Sequence, residues 1–209
     1  MAIFSKPHLR NSHIWKNMRI GLLGGSFNPP HEGHKYISQV VLKTMQLDAV
    51  WWLVTPKNPL KSAKDLKPTA ARLNLCEKIL ADEPHILVTN LEEDIGAPYS
   101  YETVKAINKH FPHTSFAWIT GMDNAHNLHL WQEWQNLLKN MCMIHITRHP
   151  PVNLIKNCPT RMLNSQRHVI VDKGGRYKLD SSTTYWLLQK KMMNISSTQI
   201  RKRASKSTN

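Results

Sequence analysis

Short apolar, β-rich runs alternate with stretches of helical periodicity along most of this 209-residue chain, and no other feature restricts its fold as tightly. Met18–Leu23 is an apolar run ending at Gly24-Gly25. Lys35–Met45 then places Tyr36, Ile37, Val40, Val41 and Met45 on one helical face. Ala49–Thr55 reads as a strand stopped by Pro56, and Thr69–Leu80 as a helix turning Leu73, Cys76, Ile79 and Leu80 inward. Ile86–Leu91 is a further strand, Tyr101–Phe111 a helix through Val104 and Ile107, and Ser115–Thr120 a strand. Asn124–Lys139 reads as one helix carrying Leu128, Trp131, Leu137 and Leu138. Met141–Thr147 and Val169–Asp172 read as strands, and Thr198–Arg203 begins a last helix with Ser196 or Ser197 as its N-cap. Strands separated by helices of this length imply βαβ units, hence an α/β fold with a mainly parallel sheet and helices on both faces. Ligands of such sheets lie beyond the carboxyl ends of the strands.

Composition narrows the class. The hydrophobic fraction is 41% and the charged fraction 20%, which excludes a disordered chain. The three cysteines, Cys76, Cys142 and Cys158, form no CxxC pair, so neither a disulfide framework nor a zinc ribbon is expected. No apolar run approaches the ~20 residues of a membrane span. The sequence therefore reads as a reduced, cytoplasmic protein with no membrane partner. Lys plus Arg number 28 against 14 Asp plus Glu, a net charge of +14. Such a charge suits a nucleic-acid-binding module or an enzyme of phosphorylated substrates. The basic residues thicken at the two ends, which is the pattern of solvated tails rather than of a nucleic-acid surface. Residues 1–18 read as a flexible basic extension and 19–209 as a single domain.

The chemistry concentrates after the first strand, in Gly24-Gly25-Ser26-Phe27-Asn28-Pro29-Pro30-His31-Glu32-Gly33-His34. The glycines permit a tight turn and close approach of backbone to ligand. The helix starting near His34 presents N–H groups and a positive dipole end, a ready anion site, and two imidazoles there add donors for a polyphosphate. Neither a GxGxxG fingerprint nor a Walker loop is present. A metal pair would call for a third ligand, and Glu32 is the one nearby carboxylate, so no metal site is expected. Near the other end, Ile195-Ser196-Ser197-Thr198-Gln199-Ile200-Arg201 combines helix-capping hydroxyls with an arginine on the same face. Alone this is an ordinary cap; with Arg201 it becomes a second anion cradle.

Together, GGSFNPPHEGH and ISSTQIR resemble the nucleotidyltransferase superfamily with HxGH and SSTxIR motifs, and within it bacterial nicotinate-nucleotide adenylyltransferase. Pro56-Lys57-Asn58-Pro59-Leu60-Lys61 is similar to that family's loop after the second strand, and Pro98-Tyr99-Ser100-Tyr101-Glu102-Thr103 to its SYxT segment. Thr120-Gly121-Met122-Asp123-Asn124, followed by Trp131-Gln132-Glu133-Trp134, resembles its GxD segment and tryptophan-bearing helix, and Arg148 follows the next strand. Asn28 departs from the aspartate often found there.

The resemblance covers about residues 19–204 and implies a Rossmann-like fold that transfers AMP from ATP to nicotinate mononucleotide, in NAD biosynthesis. It implies His31, His34 and Arg201 as catalytic donors to the phosphates, with Mg²⁺ carried by ATP. Gly24, Gly25, Ser26, Phe27, Asp123, Ser197 and Thr198 would complete the ATP site. Lys61, Ser100, Tyr101, Thr103, Trp131 and Arg148 would bind the mononucleotide. A sibling enzyme acting on nicotinamide mononucleotide or phosphopantetheine stays open as an alternative, as does a homo-oligomer. The intact motif pair argues against a non-catalytic nucleic-acid module, so no nucleic-acid partner is expected.

Overall fold

The computed structural model describes residues 4–56, 66–147, 158–163, 165–189 and 193–206. Its centre is one seven-stranded sheet in the order β3-β2-β1-β4-β5-β7-β6, every neighbouring pair parallel. The strands are β1 (Arg19–Gly25), β2 (Ala49–Val54), β3 (Ile86–Thr89), β4 (Ser115–Gly121), β5 (Cys142–Ile146), β6 (Ser165–Ile170) and β7 (Thr183–Leu188). The helices are α1 (Glu32–Thr44), α2 (Thr69–Ile79), α3 (Leu91–Ile95), α4 (Ser100–His110), α5 (Met122–Asn127), α6 (Trp134–Asn140) and α7 (Ser197–Lys206). Among the described residues no helix is long and apolar enough to cross a membrane.

Strand alternation divides the core in two. Val50, Trp52 and Val54 of β2 pack with Ile37 and Val41 of α1 and Cys76 of α2 on one face. Ala49, Trp51 and Leu53 pack with Val104 and Ile107 of α4 and Leu137 and Leu138 of α6 on the other. Both faces of β2 are buried, which is why its sequence reads AVWWLV without polar alternation. From β1 the chain works outward to β2 and β3, then crosses back to β4 on the other side of β1. That reversal places a crevice beyond the carboxyl ends of β1 and β4.

Three expectations are corrected. The segment before Arg19 is not a free extension over its described part. Trp15 is fully buried, its ring 4.8 Å from that of Trp51, and the Thr114 hydroxyl donates to its carbonyl at 2.8 Å. Basic composition concealed one large apolar anchor. The helix expected over Asn124–Lys139 is broken: α5 ends at Asn127, a 3-10 turn spans Leu128–Leu130, and Glu133 has φ 54° before α6. The break lets Leu128 join Leu137 and Leu138 in one core, which a straight helix would not do. Finally, β6 begins at Ser165 rather than Val169, and β7 lies in Thr183–Leu188, where no strand was expected. A short apolar run such as TTYWLL has no periodicity to separate strand from helix.

Because Trp15 fills the core beside Trp51, Trp15→Ala should destabilise the protein by about 3–5 kcal/mol. Urea unfolding of the two proteins measures it, and equal midpoints would show the segment to be dispensable.

Candidate functional site

The loop after β1 is built on aromatic packing. Phe27, at φ 45°, is 1% exposed and stacks on Trp52 with centroids 4.7 Å apart and planes 10° apart. A non-glycine residue holds a left-handed backbone only when its surroundings insist, and the Trp52 face supplies that packing. His34 leans on the same pair, its ring 5.0 Å from Phe27 and 5.8 Å from Trp52.

His31 is the N-cap of α1, so the helix starts at Glu32, two residues before His34. The two histidines hold each other. The His31 N–H donates to His34 Nδ1 at 3.2 Å, the His34 N–H donates to the His31 carbonyl at 2.8 Å, and the rings lie 3.7 Å apart. Accepting at Nδ1 leaves Nε2 of a neutral His34 as the protonated nitrogen, the donor end of the ring. Gly33 has a spatial reason: a Cβ there would stand 2.9 Å from His31 Nδ1 and 2.9 Å from Ile195 Cγ2.

Ile195 belongs to the C-terminal motif, which docks on this loop. The Ser197 hydroxyl donates to the Pro29 carbonyl at 2.8 Å, and Arg201 Nη1 donates to the Asn28 carbonyl at 2.5 Å. Arg201 Nη2 is 3.4 Å from Thr198 Oγ1, and the Ser196 hydroxyl accepts the Gln199 N–H at 3.3 Å as the cap of α7. The residues of HxGH and SSTxIR are thus brought together from opposite ends of the chain. Asp123 follows the end of β4 in the first turn of α5, beside β1 in the sheet. Gly24 and Gly25 close β1, and Ser26 leads into the turn, its carbonyl accepting from Arg72.

Ser100, Tyr101 and Thr103 lie in the first turn of α4, whose N-cap Tyr99 makes no side-chain cap hydrogen bond. Tyr101 and Trp131 both pack against the core cluster on the α4 face. Trp131 stands at the break before α6 rather than within a helix. Lys61 and Arg148 lie outside the described residues. Among the described residues no group of three or more His, Cys, Asp or Glu side chains converges as a metal site.

Three buried polar residues escaped the sequence reading. Arg72 of α2 is 1% exposed, and its guanidinium binds carbonyls of the β1 loop and of the end of β2. Burial lowers its pKa. His145 of β5 lies 2.6 Å from Thr120 Oγ1 through Nδ1, and burial pulls its pKa to about 3, so it is neutral. Glu92 of α3 is pushed up to about 7 by burial, against hydrogen bonding from Thr55 and Thr103. Isolated residues of these types carry no pattern; only the fold shows that they are buried.

Residues 22–203 match the family described as cytidylyltransferase-like. A probable nicotinate-nucleotide adenylyltransferase of Bradyrhizobium sp. is 38% identical over 184 residues, covering 88% of this chain and 95% of the relative. Another, of Rhizobium johnstonii, is 42% identical over 136 residues, 65% of this chain and 68% of the relative. Among solved structures, Plasmodium falciparum nicotinic acid mononucleotide adenylyltransferase complexed with NaAD superposes with a TM-score of 0.64 at 18% identity. It covers 88% of this chain and 83% of that one. At that identity the likeness speaks for the fold.

The Glu92 shift carries a pH signature. Its folded pKa lies above the ordinary 4.5, so between that value and about 7 the folded state binds more protons than the unfolded. Stability from this group is present at low pH and lost as pH rises through that window. Glu92→Gln should remove the loss, so that the variant gains Tm over wild type from pH 5 to pH 8. A constant Tm difference would contradict the shift.

Proposed function

Since the chain belongs to the nicotinate-nucleotide adenylyltransferases of the cytidylyltransferase-like family, we propose that it transfers AMP from ATP to nicotinate mononucleotide. One observation carries this reading: the starts of α1 and α7 are tied together by Ser197 and Arg201 at the carboxyl end of β1. Two helix N-termini, two imidazoles and a guanidinium there suit a triphosphate.

In the reaction a phosphate oxygen of the mononucleotide attacks the α-phosphorus of ATP. The bond from that phosphorus to the oxygen bridging to the β-phosphate breaks, and pyrophosphate leaves with the electron pair. Charge gathers on the leaving group, so donors fixed beforehand at that end lower the barrier without covalent chemistry. His34 offers Nε2–H, oriented by the His31 N–H at Nδ1. His31 is held by the start of α1, and Arg201 has further N–H donors beyond the one given to Asn28. Mg²⁺ enters with ATP as part of the substrate, its charge offsetting that of the phosphates. Gly24, Gly25, Ser26 and Phe27 bring backbone to the nucleotide, Asp123 takes a ribose hydroxyl, and Ser197 and Thr198 flank the phosphates. On the acceptor side Ser100, Tyr101 and Thr103 belong to the uncapped first turn of α4, whose N–H groups suit a carboxylate. Trp131 stacks on the pyridine, while Lys61 and Arg148 supply charge.

His34→Ala should lower kcat by on the order of 10²–10³, as loss of an oxyanion-type donor does. Pyrophosphate release by folded protein measures this, and full activity of the variant would sink the mechanism. In the same assay kcat/KM should favour nicotinate over nicotinamide mononucleotide by at least roughly 10²-fold, because an amide cannot satisfy donors placed for a carboxylate. Phosphopantetheine should give no turnover. Equal rates on the two mononucleotides would remove the acid-specific reading and leave the adenylyltransferase.

A further inference from the structure

Glu92 is 5% exposed on α3, the short helix that follows β3. Its Oε1 lies 3.2 Å from Thr103 Oγ1, and Thr55, just past the end of β2, is its other hydrogen-bonding neighbour. A leucine of similar size would fill such a position at less cost than a desolvated carboxyl. Thr103 explains what the carboxyl holds. It is fully buried in α4, and its hydroxyl is also 3.3 Å from the carbonyl of Tyr99, the N-cap of that helix.

A hydroxyl has one hydrogen, so Thr103 cannot donate fully to both oxygens. A protonated Glu92 resolves the conflict by donating to Thr103 Oγ1, which frees the Thr103 hydrogen for the Tyr99 carbonyl. The chain Glu92–Thr103–Tyr99 then runs from α3 into the turn where α4 begins. The loop after β1 and the start of α7, which form the opposite half of the site, are tied by Arg72, Ser197 and Arg201.

We infer that Glu92 is a positioning residue for the acceptor: through Thr103 it sets the first turn of α4, Tyr99–Thr103, against the acid group of the mononucleotide. This rests on the acceptor assigned above and adds the residue that holds its half of the site in register. Glu92→Gln keeps an oxygen acceptor and an N–H donor at the same place, whereas Glu92→Ala removes both. Thr103→Val removes the relay while preserving shape.

The test measures KM for nicotinate mononucleotide and for MgATP, with Tm, in wild type, E92A, E92Q and T103V. E92A and T103V should each raise the acceptor KM about tenfold, as loss of one hydrogen-bonded contact does, and T103V, which leaves Thr55 untouched, should keep the ATP KM within about twofold. E92Q should restore the acceptor KM, and E92A with T103V together should do no more than either alone. Should E92A not fold, T103V and E92Q carry the comparison. Parallel rises of both KM values in T103V, or a wild-type acceptor KM in T103V, would overturn the inference. A wild-type protein inactive on nicotinate mononucleotide would instead overturn the acceptor assignment.

Discussion

Arg72 uses all five N–H donors of its guanidinium within a buried site. Nε donates to the Lys67 carbonyl at 2.8 Å, and Nη1 to the carbonyls of Ser26 at 2.7 Å and Thr55 at 2.8 Å. Nη2 donates to the Pro56 carbonyl at 3.1 Å and the Thr69 hydroxyl at 3.0 Å. One rigid fork thereby joins the loop after β1, the end of β2 and the start of α2. Burying a guanidinium is costly, and the carbonyl dipoles converging on it offset that cost. Lysine could not reproduce the planar geometry. The position of the HxGH turn relative to the rest of the sheet depends on this residue, although it lies outside every motif.

Around that anchor the site closes by long-range contacts. The C-terminal segment reaches back more than 160 residues to donate to Pro29 and Asn28, and Ile195 packs where a side chain at Gly33 would stand. Phe27 and Trp52 form the floor beneath His34. His34 is therefore oriented by the backbone of His31 and by an apolar surface. Donors oriented in this way need little reorganisation when charge develops on a leaving group.

Two buried titratable groups flank the site with opposite shifts from one cause. Desolvation disfavours the charged form of each, raising Glu92 to about 7 and lowering His145 to about 3. Both are then neutral in mildly acidic solution, and each bonds a threonine: Thr103 in α4, which carries site residues, and Thr120 in β4, which leads into α5 and Asp123.

Periodicity and turn chemistry determined the parallel α/β class, most strands and helices, and the two motifs, because those signals are local and span consecutive residues. Gly24-Gly25, the HxGH spacing and the hydroxyl-rich start of α7 are all legible in that way. The break at Trp131, the strand Thr183–Leu188 and the burial of Trp15 were settled by tertiary packing: each depends on which distant surface the segment meets, not on its own pattern. The same holds for Arg72, Glu92 and His145. A charged or polar residue in sequence gives no sign of burial, and its role follows only when distant carbonyls, hydroxyls and rings enclose it.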